Sequence, residues 1–328
     1  MDFFGLAREP FAADPDSTFF FDGHAHKRAL AYLRFGLSQD HDNVLITGGR
    51  GMGKTTLVRR LARSLRARGL VLAQVQVPPR GLASLVAGVG EPLGVPLAEL
   101  SGDRALPALK SHLTTLRQGG KRPYLVLDDV QHLSGVGLSE LEALLGLRTG
   151  SRRLLPALLF ADVDFREVLR TAERAALRHS ITVAYQVNPF NLEETIAYVE
   201  HRLRVAGWQG DPAFLPLAYM ELYFLSMGVP GRINRLCAEA LSQAAGQLSH
   251  EVKAETFGTA AASLPPDEQE RVAHVRGLTR LEDEMCRMTV RGYVGSGSPD
   301  RLDALVWALT ELMVEPARVW RRPQVRTL

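Results

Sequence analysis

The sequence predicts an α/β fold built on a parallel five-stranded sheet, followed by a small α-helical domain and a short C-terminal helical tail. Three observations carry this. Short, nearly continuous apolar runs alternate with helical stretches from about residue 43 to residue 187. Strands buried on both faces read this way, and their alternation with helices implies βαβ units. The strand-like runs then stop at Pro189, and three helical stretches follow. Finally, the pattern GxxxxGK[ST] lies between the first apolar run and the first helix.

Taken in order, strands are expected over 44–46, 71–77, 124–127, 154–160 and 181–187, with helices over 54–68, 81–88, 103–118, 138–147 and 164–178. These make a core domain of residues 1–190. Helical periodicity then covers 192–206, 212–226 and 232–247, a second domain over 191–250. Asn191 is placed to cap its first helix, and Glu193 and Glu194 suit the positive end of the helix dipole. Residues 251–328 are expected to hold a linker over 258–267, marked by Pro265-Pro266, then a short helix over 279–289 and a loop over 292–298. A last helix over 300–313 has Ser298 as cap and Pro299 at its first position.

Composition sets few limits. Hydrophobic residues make up 46% and charged residues 23% of 328, which is ordinary for a globular protein. The net charge is only +3. Arginines cluster at Arg59, Arg60, Arg63, Arg66 and Arg68, and again at Arg318, Arg321, Arg322 and Arg326. Solvated helix faces and a frayed end explain both; contact with nucleic acid or acidic lipid is the sharper alternative. Cys237 and Cys286 offer neither a disulfide framework nor metal-ligand spacing, which fits a reducing compartment. No signal-peptide pattern opens the chain, and its longest apolar runs are strand-sized. A cytoplasmic protein without a transmembrane segment is expected.

The chemistry is concentrated in residues 48–55, Gly48-Gly49-Arg50-Gly51-Met52-Gly53-Lys54-Thr55. Glycines let the backbone wrap closely, so that successive N–H groups point at phosphates. Lys54 supplies positive charge for the β and γ phosphates, and the Thr55 hydroxyl is a magnesium ligand. Thr56 continues the helix, whose N-terminus faces the anion. An apolar strand before the loop and a helix after it give the motif its context. Leu125-Val126-Leu127-Asp128-Asp129 then ends a strand in two carboxylates. Asp128 is the expected magnesium-side carboxylate, and Asp129 the group that orients water. The expected ligands are therefore ATP and Mg2+.

Over the first 245 residues the chain resembles the ExeA/GspA-type secretion ATPases of the AAA+ class, especially the branch found with exosortase and exopolysaccharide loci. The carrying residues are Phe4-Gly5-Leu6 with Pro10-Phe11, Pro15-Asp16, Phe19-Phe20-Phe21 and Ala29-Leu30-Ala31-Tyr32-Leu33. They continue through the phosphate loop, residues 125–131, Tyr198-Val-Glu-His-Arg-Leu-Arg204, Gly207-Trp208, Gly210-Asp211-Pro212 and Ile233-Asn234-Arg235-Leu236-Cys237. The resemblance implies an AAA+ phosphate-loop core with a helical lid, ATP-driven assembly into a homo-oligomer, and a protein partner in secretion or envelope assembly.

Several positions depart from that pattern. Where such proteins carry a glutamate, Asp129 is one methylene shorter. A Gly-Gln at the end of the fourth strand reads Ala161-Asp162, leaving the sensor-1 role to Asp162. Leu-Arg-Gln-Arg reads Leu177-Arg178-His179-Ser180, so the finger toward a neighbouring subunit falls to Arg178 or Arg174. Pro-Arg-Arg-Ile-Asn reads Pro230-Gly231-Arg232-Ile233-Asn234, leaving Arg232 as sensor 2. Nucleotide binding is thus better supported than fast hydrolysis. An ATP-holding scaffold without useful turnover, and a DNA-handling ATPase, either like the related transposition regulators or related to DNA packaging, are the alternatives.

The tail resembles the end of phage large terminase subunits. Leu281-Glu282-Asp283-Glu284-Met285-Cys286 and Gly297-Ser298-Pro299-Asp300-Arg301-Leu302-Asp303-Ala304-Leu305-Val306-Trp307-Ala308-Leu309 carry that likeness. There the aspartate matching Asp303 is a nuclease metal ligand. Two-metal chemistry needs several carboxylates held together, and the segments that would bring the others are absent. The tail reads as a fragment, without an intact nuclease.

Overall fold

The computed structural model describes residues 2–12, 17–39, 43–97, 102–264, 288–289 and 292–293. All five expected strands form and join one parallel sheet. They are β1 (Asn43–Thr47), β2 (Val71–Gln76), β3 (Pro123–Asp128), β4 (Ala157–Ala161) and β5 (Ile181–Gln186), in the order β2-β3-β4-β1-β5. The three central strands are wholly buried, and the edge strands β2 and β5 only in part. Unbroken apolar runs are what the central positions require.

Alternating side chains give the sheet two cores. Leu45, Leu125, Leu127 and Leu159 pack beneath α3 (Leu85–Gly90), α4 (Gly102–Gln118), α5 (Gly135–Leu145), α6 (Phe165–Arg170) and α7 (Ala175–Ser180). Val44, Ile46, Val126, Leu158 and Phe160 face the other way, toward α1 (His24–Gln39) and α2 (Lys54–Ala67). Each fully buried side chain of this kind contributes about 1.5–3 kcal/mol. Helix α1 is absent from the sequence expectations, although Ala29, Leu30, Leu33 and Leu37 bury one face at helical spacing.

Several boundaries differ from expectation. The helix expected over 81–88 begins at Leu85, because Ser84 Oγ accepts the Ala87 N–H at 3.2 Å and caps it there. The helix over 164–178 is divided into α6 and α7 by an extended Thr171 and a short turn at Ala172–Arg174. The strand over 154–160 starts at Ala157; just before it, Arg152–Arg153 pairs with Arg148–Thr149 in a small hairpin.

Behind the sheet lie α8 (Leu192–Val205), α9 (Pro216–Ser226), α10 (Pro230–Gly246) and α11 (Ala254–Ser263). The Asn191 cap is a full capping box: its side chain accepts the Glu194 N–H at 2.8 Å, and Glu194 accepts the Asn191 N–H at 3.3 Å. The helix expected from residue 212 begins only at Pro216, since Ala213–Phe214 is extended and pairs in parallel with Glu251–Val252. The linker expected from residue 258 is helical up to Ser263. Phe257 and Ala260 are fully buried with α9 and α10, a gain that outweighs the small residues around them. Phe4, Leu6, Phe11 and Phe19 join this helical core, so the N-terminal segment belongs with the helices.

The chain divides into two compact units, Met1–Val272 and Ala273–Leu328. In the second, Met288–Thr289 pairs antiparallel with Gly292–Tyr293, so the helix expected to reach residue 289 does not hold there. The loop over 292–298 is likewise extended at Gly292–Tyr293. Residues 279–287 and 294–298, the helix over 300–313, Asp303 and the arginines at 318–326 lie outside the described residues. Among the described residues no helix is long and apolar enough to cross a membrane.

Candidate functional site

The carboxyl ends of β1, β3 and β4 converge on the loop that leads into α2. Gly51 and Gly53 hold φ angles of 81° and 79°, a left-handed backbone that glycine adopts without strain. Lys54 is buried, and its Nζ donates to the carbonyls of Gly48 at 2.6 Å and Gly49 at 3.1 Å. Burial holds its pKa below the ordinary lysine value, against the pull of Asp162, Asp129 and Asp128. Thr55 Oγ1 donates to Asp128 Oδ2 at 2.9 Å. Asp128 is buried too; desolvation pushes its carboxyl above the usual range, and the Thr55 hydrogen bond opposes this.

Asp129 takes a left-handed backbone, φ 58°, where short aspartate is among the better-tolerated residues. Its N–H donates to Asp128 Oδ1 at 3.0 Å. Both its carboxylate oxygens accept amide hydrogens, from Gln76 at 3.3 Å and Gln131 at 3.1 Å. Gln131 also accepts the Asp162 N–H at 3.0 Å, tying the end of β3 to the end of β4. The Asp162 carboxylate is engaged with the Val163 N–H at 2.6 Å. Sequence reading missed Gln76, and it included Gln131 only as the end of a resembling stretch, with no role attached. Gln76 stands beside Asp128 only because β2 and β3 pair in that register.

A cavity of about 620 Å³ opens over this corner. Arg50, Gly51, Met52, Gly53, Lys54, Thr55, Thr56, Asp129 and Asp162 line it from the core. Phe19, Phe20, Phe21 and His26 line it from the N-terminal segment, and Tyr198, Arg202, Pro230, Gly231 and Asn234 from the helices. The first turn of α10 rests on the loop: the Gly231 N–H donates to the Gly51 carbonyl at 2.9 Å, and a Cβ at Gly231 would stand 2.9 Å from Gly51 Cα. The arginine of the resembled pattern has no room there.

Two further residues complete the walls. His26 is buried with Nε2 3.0 Å from the Met52 carbonyl, so Nε2 carries the hydrogen; desolvation lowers its pKa. Buried Arg202 donates to the Pro10 carbonyl and, at 2.9 Å, to Tyr198 Oη, which itself donates to Asn234 Oδ1 at 2.7 Å. Its guanidinium lies 5.0 Å from the Phe19 ring centroid. Among the described residues it pairs with no carboxylate. Arg202 and Tyr198 entered the sequence reading only through a resemblance, with no role attached.

Arg232, on α10, and Arg178, on α7, do not line the cavity. Arg178 donates to the Leu169 carbonyl at 3.4 Å. Arg174 is held on α5 by Gly135 and Ser139, with Glu142 at 3.6 Å.

No group of three or more His, Cys, Asp or Glu residues among those described could hold a metal ion. The Thr55 hydroxyl and Asp128 carboxylate offer two neighbouring hard oxygens. That suits a cation such as magnesium, which keeps several waters and shares the rest of its shell with phosphates.

A family model described as an AAA domain matches residues 38–169. The General secretion pathway protein A of Aeromonas hydrophila is 33% identical over 251 residues, covering 76% of this chain and 46% of that protein. The chain thus spans about half the length of the curated relative it matches. Among solved structures, the Aeropyrum pernix ORC1 protein in complex with DNA superposes with a TM-score of 0.60 at 20% identity, covering 95% of this chain and 84% of that one. Cdc6p from Pyrobaculum aerophilum gives 0.59 at 16% identity, covering 84% and 77%. These two likenesses speak to the fold. With the strand order, the phosphate loop and this kinship in agreement, the chain carries an AAA domain and is related to the ATPases of the ExeA/GspA type.

Proposed function

We propose that this protein is an Mg-ATP-binding switch with slow ATPase activity, working in secretion, exopolysaccharide export or a similar assembly process. The observation that carries the reading is that Lys54 and Thr55 line one cavity wall while Thr55 Oγ1 donates to the buried Asp128 carboxylate behind it at 2.9 Å. Loop N–H groups from Gly48 to Thr56 and the Lys54 ammonium would bind the phosphates, and Thr55 and Asp128 would hold magnesium. The metal supplies charge neutralisation at the phosphates when bound. Asp129 orients water, and Asp162 senses the terminal phosphate from β4. Arg232 reports occupancy from α10, and Arg178 faces a neighbouring copy in a homo-oligomer. Lys54 leaves the Gly48 and Gly49 carbonyls to reach the phosphates, so its present bonds are a resting position.

Hydrolysis is slow on this reading because Asp129 is short and both its oxygens are already taken by Gln76 and Gln131. A displacement of about 1 Å in such a group costs on the order of a hundredfold in rate. The same observation favours a second reading, a scaffold that holds ATP without useful turnover. Phosphate release separates the two. Steady release above background that Asp128→Ala abolishes supports the ATPase; release indistinguishable from background in the wild type leaves the scaffold. The partner would be an envelope-assembly or secretion protein, located from the cytoplasm.

A further inference from the structure

We infer that the amino-terminal edge of the sheet, opposite the nucleotide cavity, is a binding surface for the phosphate backbone of duplex nucleic acid. A cleft of about 350 Å³ lies there, lined by Arg117, Lys121, Arg122, Thr149, Arg152 and Arg153 among others, and no aspartate or glutamate lines it. The cations come from separate stretches of sequence. Helix α4 and its C-terminal turn bring Arg117, Lys121 and Arg122; the hairpin before β4 brings the rest. Arg148 extends the group, since it pairs with Arg153 across the hairpin. For a chain whose whole net charge is +3, this is a local concentration of positive charge.

The fold already uses three of these side chains, Arg148 Nη1 donating to the Ser151 carbonyl at 3.3 Å within the hairpin. Arg117 Nε donates to the Leu154 carbonyl at 3.4 Å, and Arg153 Nη1 to the Leu145 carbonyl at 2.7 Å. Lys121, Arg122, Arg148 and Arg152 are exposed, and none of them forms an ion pair with a carboxylate among the described residues. Glu142, the one acid in the hollow beyond Arg153, is engaged by Arg174. By contrast, the arginine run on α2 is partly absorbed by its own surroundings. Arg60 pairs with Asp22 at 3.2 Å and covers the Phe20 ring, and Arg66 donates to Gln74 at 2.9 Å.

Lysine at the end of a helix is favourable without any ligand, which accounts for Lys121 alone. It does not account for arginines on a separate hairpin facing the same cleft. A concave, acid-free wall beside an exposed two-stranded hairpin matches the ridge of a phosphate backbone, and the major groove of duplex DNA admits a two-stranded ribbon. An acidic membrane is a poorer match. Binding at a bilayer surface needs apolar side chains to bury, and none of the exposed large apolar residues among those described lines the cleft.

The test is fluorescence anisotropy of the full chain with a labelled DNA duplex of about 30 base pairs, across a salt series. Four unpaired cations give a slope of log affinity against log salt of about −3 to −4, or roughly a hundredfold loss between about 50 and 200 mM. Lys121→Glu/Arg122→Glu and, separately, Arg148→Ser/Arg152→Ser should each weaken binding at least about tenfold and flatten the slope by about two. Arg59→Ser on α2, combined with Arg68→Ser just past its end, should leave both unchanged. Circular dichroism checks folding, and Arg152→Gln stands in for any double variant that fails it, with a slope change of about one. Equal binding to double-stranded RNA would support a backbone contact. Unchanged affinity and slope in the cleft variants would overturn the assignment, as would tighter binding to vesicles containing phosphatidylserine than to DNA.

Discussion

The N–H of Gly231 donates to the carbonyl of Gly51 at 2.9 Å, so the first turn of α10 sits directly on the phosphate loop. Helix and loop meet backbone to backbone, and a methyl group at residue 231 would fall 2.9 Å from Gly51 Cα. Neither partner is a flexible side chain that could move aside. Gly231→Ala should therefore cost about 1–3 kcal/mol of stability, as overpacking of a tight contact does. Urea denaturation measures it. A midpoint within error of the wild type would show that the two segments are free to separate.

Asp128 carries the reverse kind of strain, a buried carboxylate whose pKa is raised by desolvation. In the ligand-free protein, folding disfavours the ionised form. The resulting penalty is absent below the ordinary aspartate value of 3.8, grows as pH rises from there and levels off above the elevated folded value. Asp128→Asn keeps an oxygen for the Asp129 N–H and offers an amide to Thr55. At neutral pH the ligand-free variant should melt about 2–4 °C higher. Magnesium should raise the wild-type melting temperature in the presence of ATP and leave that of the variant unmoved. A lower melting temperature for ligand-free Asp128→Asn would contradict this account.

His26 has the opposite sign. Its folded pKa lies below 6.5, so the unfolded chain takes up the proton first and stability falls as pH drops below 6.5. The fall levels off once pH passes the folded value. In His26→Gln, whose amide can still donate to the Met52 carbonyl, that component should vanish. Thermal melts of both proteins between pH 7 and pH 5 give the comparison; parallel curves would exclude His26 as the cause.

Reach at Asp129 is open to direct repair. Asp129→Glu restores the missing methylene and should raise phosphate release at least about tenfold, given the steep dependence of rate on placement. The longer residue is less at ease with φ 58°, so the gain should come with a stability loss of about 1–2 kcal/mol. A variant that folds and hydrolyses no faster would mean that the two glutamines, or the substituted arginines, set the rate.

The central sheet was legible because β1, β3 and β4 are buried on both faces, which leaves an unbroken apolar signature. The phosphate loop was legible because its glycines and lysine serve one chemistry at fixed spacing. What stayed hidden depends on topology. The Gln76–Asp129–Gln131 cluster needs the register of β2 on β3 and the left-handed turn at Asp129. The basic cleft joins residues about thirty apart, whereas the more conspicuous arginine run on α2 is partly neutralised where it stands. The second part of helix α11, from Gly258, reads as linker because small residues and the prolines beyond it mask Ala260, whose partners lie on other helices. Short elements moved for local reasons, as at Ser84 and Thr171.

The most direct test of the account is a calorimetric titration of ATP with magnesium into the wild type and Lys54→Ala. Lys54 is buried in the site wall with its ammonium on loop carbonyls, so its loss removes the main positive charge offered to the phosphates. The wild type should bind saturably with one site per chain, and Lys54→Ala should bind at least about a hundredfold more weakly, a difference of about 2.7 kcal/mol. Equal affinity in the two proteins, with the variant folded, would contradict the assignment of this loop as a triphosphate site.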